Sequence, residues 1–203
     1  MIRDAQSNDL PEIVNIHSRM FENFFMTKLG KDFLLLYYEL VLKFDKGILR
    51  VYEEEGKIIG FVVGFKDPKH FYSTMKKNKI RFLKVLIKSI ARRPELILQV
   101  LYAIKRTLKA ARSIQNDEYI EYSDLRNAIE LSSIAVIKPG IGTKLLLDFI
   151  NISRKKNGTM IMLTTDMYNN EKVNYFYQKN GFVLAKTLSD YNGRKKNLYI
   201  YNL

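Results

Sequence analysis

The chain has 203 residues, and its hydrophobic content of 47% and charged content of 27% are typical of one globular domain with a sizeable core. It contains no cysteine, so disulfides, thiolate zinc sites and a cysteine nucleophile are excluded. The two histidines, His17 and His70, are far apart in sequence, which disfavours a metal site. No apolar run reaches the roughly 18 residues of a membrane span, and no signal peptide is evident. We therefore expect a cytoplasmic protein without a metal cofactor.

The net charge of +13 is concentrated in one segment of the chain. Residues 75–112 contain twelve lysines and arginines and a single acid, Glu95. The remainder of the chain is nearly neutral. Any anionic partner is therefore expected at this basic segment.

The first third of the chain predicts a short strand, two helical stretches and a β-hairpin. "MIRDA" has the composition of a strand, and a helix is expected to start at Asp9 and Pro11. A second helical stretch is interrupted at Gly30. Two β-rich runs, "ILRVYEEE" and "KIIGFVVGF", then flank a turn at Gly56, which is typical of a hairpin.

The remainder predicts a helical insertion followed by alternating strands and helices. Residues 73–112 are expected to be helical and divided by Pro94, because proline is tolerated in the first turn of a helix but not in its interior. The segments that follow are two buried strands, each with a helix after it, and a terminal hairpin: "AIELSSIAV", "GTKLLLDFINISRKKNG", "MIMLTTD", "NNEKVNYFYQKNG", "FVLAKTL" and "NLYIYNL". We predict an α/β (α+β) domain over residues 1–203, with a mixed sheet, helices on its faces and residues 73–124 inserted between the third and fourth strands.

A Pro-Gly-x-Gly turn lies between the first of these buried strands and the helix after it. Gly140 and Gly142 allow a ligand to approach the backbone closely. The first turn of the helix exposes unpaired N–H groups and a partial positive charge, which bind anions. A plain tight turn is the alternative that these two glycines leave open.

The residues around this turn resemble the GNAT superfamily of acyl-CoA-dependent N-acetyltransferases. The resemblance covers roughly residues 1–65 and 128–203. It is carried by Glu130-Leu131…Ile134-Ala135-Val136, by Gly140-Ile141-Gly142, and by Asn170, Val173, Tyr177 and Gly181-Phe182. It implies a mostly antiparallel central sheet with helices on both faces, and transfer of an acetyl group from acetyl-CoA to a primary amine of a small molecule. A nucleotide-linked amino sugar is one candidate acceptor.

The resemblance also implies which residues contact acetyl-CoA. The expected set consists of Asn170 and of backbone groups on the strand and the turn. These backbone groups belong to Ile134, Val136, Gly140, Ile141, Gly142 and Thr143. Two departures from the family pattern stand at the turn, which is short and has Ile137 where the family has Gln or Arg. Lys138 or Lys144 is expected to supply the missing charge. A non-catalytic acyl-CoA-binding or membrane- and partner-binding module on the same fold is the alternative function.

Two side chains are candidates for proton transfer. Tyr177 matches the family tyrosine that donates a proton to the leaving sulfur, and its alternative role is packing. Glu130 matches a position where some family members have a carboxylate that deprotonates the amine, and its alternative is a solvated strand-edge acid. Asp124 and Glu121 are weaker candidates for the same base.

The basic segment predicts two amphipathic helices with cationic faces. Cations recur at three- and four-residue steps, and the apolar residues are expected to lie away from them: Lys77, Arg81, Lys84, Lys88 and Arg92 against Ile80, Leu83, Leu86, Ile87 and Ile90. Three roles are open, namely a solvated face, a site for an anionic acceptor, and docking on an anionic membrane surface by a peripheral protein. Nucleic acid is the least favoured partner, and the terminal hairpin offers a surface for a homodimer.

Overall fold

A seven-stranded sheet forms the centre of the protein. The computed structural model describes residues 1–98, 100–101, 127–189 and 193–203. The strands are β1 (Ile2–Asp4), β2 (Gly47–Glu54), β3 (Lys57–Lys66), β4 (Ala128–Val136), β5 (Met160–Asp166), β6 (Val183–Ser189) and β7 (Lys195–Asn202). Their order in the sheet is β1-β2-β3-β4-β5-β7-β6, and every neighbouring pair is antiparallel except β4 and β5. The expected mixed, mostly antiparallel sheet is confirmed.

Helices cover both faces of this sheet. They are α1 (Leu10–Met20), α2 (Phe25–Lys28), α3 (Lys31–Lys43), α4 (Pro68–Lys77), α5 (Lys79–Arg92), α6 (Ile141–Lys155) and α7 (Glu171–Lys179), with short 3-10 turns at Ser7–Asp9 and Pro94–Leu96. α1 and α3 share one hydrophobic core with one face of the sheet, whereas α6 and α7 share a second core with the other face. Both faces are therefore closed to solvent over much of their area.

Strand β3 is buried on both sides, which explains its continuous apolar sequence. Phe61, Val63 and Phe65 belong to the core with α1 and α3, whereas Val62 belongs to the core with α6. Successive side chains of a strand point to opposite faces. A strand covered on both faces thus lacks the polar alternation of a half-exposed one.

A β-bulge interrupts the pairing between β3 and β4. Val63 lies opposite Ser133 and Gly64 lies opposite Leu131, so Ser132 is an extra residue on β4. The bulge shifts the side-chain alternation by one position. As a result, Leu131 before it and Ile134 after it both pack toward the core with α6.

The parallel pairing between β4 and β5 extends over only three residues of each strand. Ala128 to Glu130 lie opposite Met160 to Met162. Beyond this point β4 continues along β3 to Val136, while β5 continues along β7 to Asp166. The two strands therefore diverge, and the opening between them is called the β4–β5 gap below.

The insertion between β3 and β4 begins with α4 at Pro68, five residues before the predicted start at residue 73. The side chain of Asp67 accepts a hydrogen bond from the His70 backbone, and Pro68 occupies the first turn of the helix. Both features favour helix initiation. The prediction was wrong by these residues because this Asp-Pro start signal was overlooked. Most of the second predicted helix, with Lys105, Lys109 and Arg112, lies outside the described residues.

Helix α5 packs against α3 and the turn before it. The rings of Phe33 and Phe82 are 5.6 Å apart, and the Ser89 hydroxyl donates a 2.5 Å hydrogen bond to the Leu29 carbonyl. Lys88 pairs with Asp32 at 2.5 Å. A second pair joins the insertion to α3, namely Arg81 and Glu39 at 2.8 Å.

The apolar residues that the sequence places away from the cationic stripe of α5 are only partly packed against the protein. Leu86 is buried, but Ile80, Leu83 and Ile87 are exposed. The apolar residues of α5 occupy too wide an arc for α3 to cover all of them. In the part of the chain that the structure describes, no helix is long and apolar enough to cross a membrane.

Gly64 provides a test of the bulge. A Cβ atom there would lie 2.2 Å from the Glu130 carbonyl oxygen and 2.6 Å from the Phe149 ring, so the backbone would have to shift. Gly64→Ala should lower the free energy of unfolding by about 3 kcal/mol, measured by urea denaturation followed by circular dichroism. Gly142→Ala is the control, because its Cβ atom would meet only Phe176, at 3.6 Å, and should change stability by less than about 1 kcal/mol. Equal losses would contradict the packing at the bulge.

Candidate functional site

Among the described residues, no strand pairs with the part of β4 that faces the β4–β5 gap. The Ile137 N–H donates a 2.9 Å hydrogen bond to the Ile59 carbonyl, so Ile137 bonds to β3. Ala135, two residues earlier, lies opposite Phe61 in the same register. Antiparallel residues alternate between bonding to the partner strand and pointing away from it. Ala135 thus bonds to β3, whereas the N–H and C=O groups of Ile134 and Val136 point into the gap. This edge can bind an extended, amide-containing ligand as a further strand would.

The glycine turn lies between the end of β4 and the start of α6. Gly140 has φ +82° and forms the N-cap of α6 without a side-chain cap. The N–H groups of Ile141, Gly142 and Thr143 therefore lack helical partners, and the helix dipole adds partial positive charge. The buried Ile141 side chain fixes the turn on the core. This arrangement suits a phosphate group.

Helix α6 is held in place by packing and by an ion pair. Leu145 and Phe149 are completely buried between α6 and the sheet. On its next turn, Asp148 accepts hydrogen bonds of 2.7 and 3.2 Å from Arg50 on β2. The N-terminus of α6 is therefore positioned by the core.

The two lysines predicted near the turn have different surroundings. Lys138 forms an ion pair with Glu54 of the β2–β3 hairpin, and this hydrogen bond raises the pKa of the Lys138 ammonium. Lys144 is exposed in the first turn of α6, with its Nζ atom 5.9 Å from the centre of the Tyr52 ring. Lys138 thus already has an anionic partner, and Lys144 stands nearer the free helix amides in sequence.

Tyr177 is buried on α7, in the same core as the start of α6. Its ring lies 5.3 Å from Phe176 and 5.5 Å from Phe182. Burial raises the pKa of the Tyr177 phenol, so its hydroxyl keeps its proton at neutral and moderately alkaline pH. The Phe176 ring of α7 lies close to Gly142, because a Cβ atom there would be 3.6 Å from it. Helix α7 is therefore beside the glycine turn.

Glu130 lies on the opposite face of the sheet, among residues of the insertion. It forms the last pair of the β4–β5 ladder, opposite Met162, and so stands where the gap begins. Its Oε1 atom accepts a 2.9 Å hydrogen bond from the Tyr72 hydroxyl of α4. Tyr177 and Glu130 therefore lie on opposite faces of the sheet. The weaker candidates Asp124 and Glu121 lie outside the described residues.

Asn170 connects the start of α7 to the end of β5. Its Nδ2 atom donates to Thr165 Oγ1 at 2.5 Å and to the Asp166 carbonyl at 3.2 Å. Its side chain does not cap α7, although Asn170 occupies the N-cap position. Val173, at the position where the family has alanine, is exposed.

Sequence reasoning missed several polar contacts around the site. Tyr72 is one of them, and another is the 2.7 Å hydrogen bond between the hydroxyls of Tyr37 and Ser132 at the bulge. The bulge itself had a signal, because the apolar spacing changes from two residues to three between Leu131 and Ile134. No comparable signal identifies Tyr72. Within the described ranges, no group of three or more His, Asp or Glu side chains is arranged to hold a metal ion.

Comparison with known proteins defines the class of fold. No protein-family model matches the sequence, and no curated protein is significantly similar to it. Solved structures do match along the whole chain. One is a ribosomal-protein-alanine N-acetyltransferase from Brucella melitensis, with a TM-score of 0.61, 17% identity and 99% of that chain covered.

Two further structures agree with this match over 100% of the present chain. The putative acetyltransferase yncA from Salmonella typhimurium, solved with acetyl-CoA, has a TM-score of 0.59, 14% identity and 93% of that chain covered. A GNAT-family acetyltransferase from Streptococcus pneumoniae has a TM-score of 0.57, 16% identity and 98% of that chain covered. The protein has the fold of the GNAT acetyltransferases, as the resemblance in its sequence implied.

Proposed function

We propose that this protein is an acetyl-CoA-dependent N-acetyltransferase that acts on the primary amine of a small molecule. One observation carries the proposal: the unpaired edge of β4 leads along the gap to the uncapped N-terminus of α6. Acetyl-CoA combines amide groups along its pantetheine arm with a pyrophosphate, and it supplies an activated acyl thioester when bound. An unpaired strand edge followed by a phosphate-binding turn suits both parts of that molecule.

The chain offers specific groups to each part of the cofactor. The backbone groups of Ile134 and Val136 would hold the pantetheine arm, and the amides from Gly140 to Thr143 would hold the pyrophosphate. Asn170 would contribute to the cofactor site indirectly, because its bonds to the end of β5 hold the start of α7 in place. Lys138 would have to give up its ion pair with Glu54 before it could contact a phosphate. Lys144 is therefore the better source of positive charge for the phosphate site.

Tyr177 would donate the proton that the leaving thiolate requires. The proposal is supported by its position on α7, the helix that lies beside the glycine turn. Burial raises the pKa of the phenol, so the hydroxyl stays protonated at neutral pH and can donate a hydrogen bond to the leaving sulfur. The surrounding rings of Phe176, Phe182 and Tyr199 fix the orientation of the phenol.

Glu130 would accept the proton of the attacking amine. A primary amine is mostly protonated at neutral pH and must lose a proton before it attacks a carbonyl group. The Tyr72 hydroxyl orients the Glu130 carboxylate by the 2.9 Å hydrogen bond. Because Glu130 lies on the face opposite Tyr177, the amine would enter from the side of α4 and the thioester from the side of α6.

A nucleotide-linked amino sugar is the acceptor that the charge distribution favours. Tyr72 and the exposed Lys76 and Lys77 lie on α4, at the start of the basic segment. A diphosphate attached to the amine would meet cations on this side. The alternative function, a non-catalytic acyl-CoA-binding module, is favoured by the short turn with Ile137.

Isothermal titration with acetyl-CoA tests the proposed cofactor site. Wild-type protein should bind, and Gly140→Ala should weaken binding at least about ten-fold, because a side chain at φ +82° is strained by about 1–2 kcal/mol and displaces the turn. Gly30→Ala is the matched control, since Gly30 also caps a helix at positive φ with open space around it. It should leave the affinity unchanged. Absence of wild-type binding would refute both the enzyme and the acyl-CoA-binding module.

Tyr177→Phe tests the proton donor. Thiol release from acetyl-CoA with a panel of amines should fall about 100-fold in kcat, while the affinity for acetyl-CoA stays within a factor of three. The raised pKa also predicts that Tyr177 causes no loss of wild-type activity between pH 7 and 9. Tyr175→Phe, on the same helix but 63% exposed, should behave as wild type. Unchanged turnover in Tyr177→Phe would leave Tyr177 a packing role only.

Glu130→Gln tests the base. At pH 7 the variant should lose about 100-fold in kcat/KM for the amine. The loss should shrink as the pH rises, because a larger fraction of the amine is then already deprotonated. Glu95→Gln removes the same charge at an exposed position of the insertion and should have no effect. A loss in Glu130→Gln that is independent of pH would argue against proton transfer.

A further inference from the structure

Helix α5 presents a strip of aliphatic side chains to solvent. Ile80, Leu83 and Ile87 are 65%, 52% and 59% exposed, and their spacing of three and four residues places them on one face of the helix. Further exposed apolar residues follow shortly after α5: Ile97, Leu98 and Leu101. Among the described residues, no other stretch of similar length exposes as many large apolar side chains. A contiguous apolar surface of this kind indicates a binding surface.

This strip is separate from the face that packs α5 onto the protein. Phe82, Leu86 and Ser89 form the buried face against α3 and the preceding turn. The helix therefore has two apolar faces, and its attachment to the domain uses only one of them. Packing within the protein therefore does not explain why Ile80, Leu83 and Ile87 are apolar, because all three are exposed.

Cations that form no ion pair among the described residues border the strip. Lys84 lies one turn from both Ile80 and Ile87, and further exposed cations stand at the two ends of α5: Lys76, Lys77, Lys79, Arg92 and Arg93. None of these six has an ion pair within the described ranges. By contrast, Arg81 and Lys88, farther round the helix, are neutralised by Glu39 and Asp32.

We propose that α5 docks this protein on an anionic membrane surface. Ile80, Leu83 and Ile87 enter the boundary between lipid headgroups and acyl chains, and the bordering lysines contact lipid phosphates and carboxylates. An interfacial helix needs both an apolar face and a cationic border. A nucleic acid would use the cations but would leave the aliphatic side chains in water. The proposal does not depend on the acetyltransferase reaction.

Vesicle co-sedimentation of the full chain tests the proposal. The protein should bind vesicles of phosphatidylcholine with phosphatidylserine, should bind phosphatidylcholine alone much less, and should release as salt screens the charges. The double variant Leu83→Ser/Ile87→Ser should lower the partition coefficient at least about ten-fold, because two aliphatic side chains no longer leave water. Leu147→Ser on α6 is the matched control, since Leu147 is also 52% exposed.

A second pair of variants tests the cations that border the strip. Lys84→Gln should lower the partition coefficient about five-fold, since each cation near an anionic leaflet contributes on that scale. Lys155→Gln, at an exposed position at the end of α6, should leave it unchanged. All substituted positions are exposed, and circular dichroism checks that the variants remain folded.

Several outcomes would overturn the proposal. One is the absence of binding to anionic vesicles, and another is equal loss in Leu83→Ser/Ile87→Ser and Leu147→Ser. Salt-sensitive binding to an RNA or DNA oligonucleotide with no vesicle binding would assign the cations to nucleic acid. Concentration-dependent self-association that the double variant abolishes, again without vesicle binding, would assign the strip to a contact between copies of this chain.

Discussion

The short parallel pairing between β4 and β5 is the constraint on which the rest of the site depends. Three residues on each strand join the two halves of the sheet, and the strands diverge after Glu130 and Met162. Within the part of the chain that the structure describes, the gap that results leaves the outward-facing backbone groups of Ile134 and Val136 without strand partners. The bulge at Ser132 shifts the side-chain alternation of β4, so that Ile134 and Val136 pack onto α6. The first turn of α6 is thereby placed at the far end of the gap.

The same constraint divides the candidate chemistry between two faces. Tyr177 belongs to the core of α6 and α7, whereas Glu130 faces the side of α1, α3 and α4. A proton donor and a carboxylate that shared one small pocket would form a hydrogen bond with each other. The plane of the sheet keeps them apart, so that in the proposed reaction each would face a different reactant. Helix α4 has a double role here, because it supplies Tyr72 and leads into the basic segment.

Much of this arrangement could be predicted from the sequence, because it depends on local signals. The order of strands and helices, the glycine turn and the breaks at Gly30 and Pro94 follow from short-range patterns, and even the missed start at Pro68 had its Asp-Pro signal. Contacts between distant segments had none. The bond between Tyr72 and Glu130 joins residues 58 positions apart, and it depends on how the insertion folds back over β4. The ion pair between Lys138 and Glu54 spans 84 positions, and it depends on how β4 pairs alongside the β2–β3 hairpin.

The unpaired edge of β4 has a consequence for association between molecules. Exposed sheet edges are templates on which strands of other chains add, and proteins commonly protect them with charge, proline or a covering segment. Here the unsatisfied edge lies inside the sheet, between two strands that are joined at one end by the pairing of Glu130 with Met162. A foreign strand would have to enter this opening between β4 and β5, which their pairing closes at one end, before it could pair. The fold can therefore keep free backbone groups for a ligand without offering them as a site of aggregation.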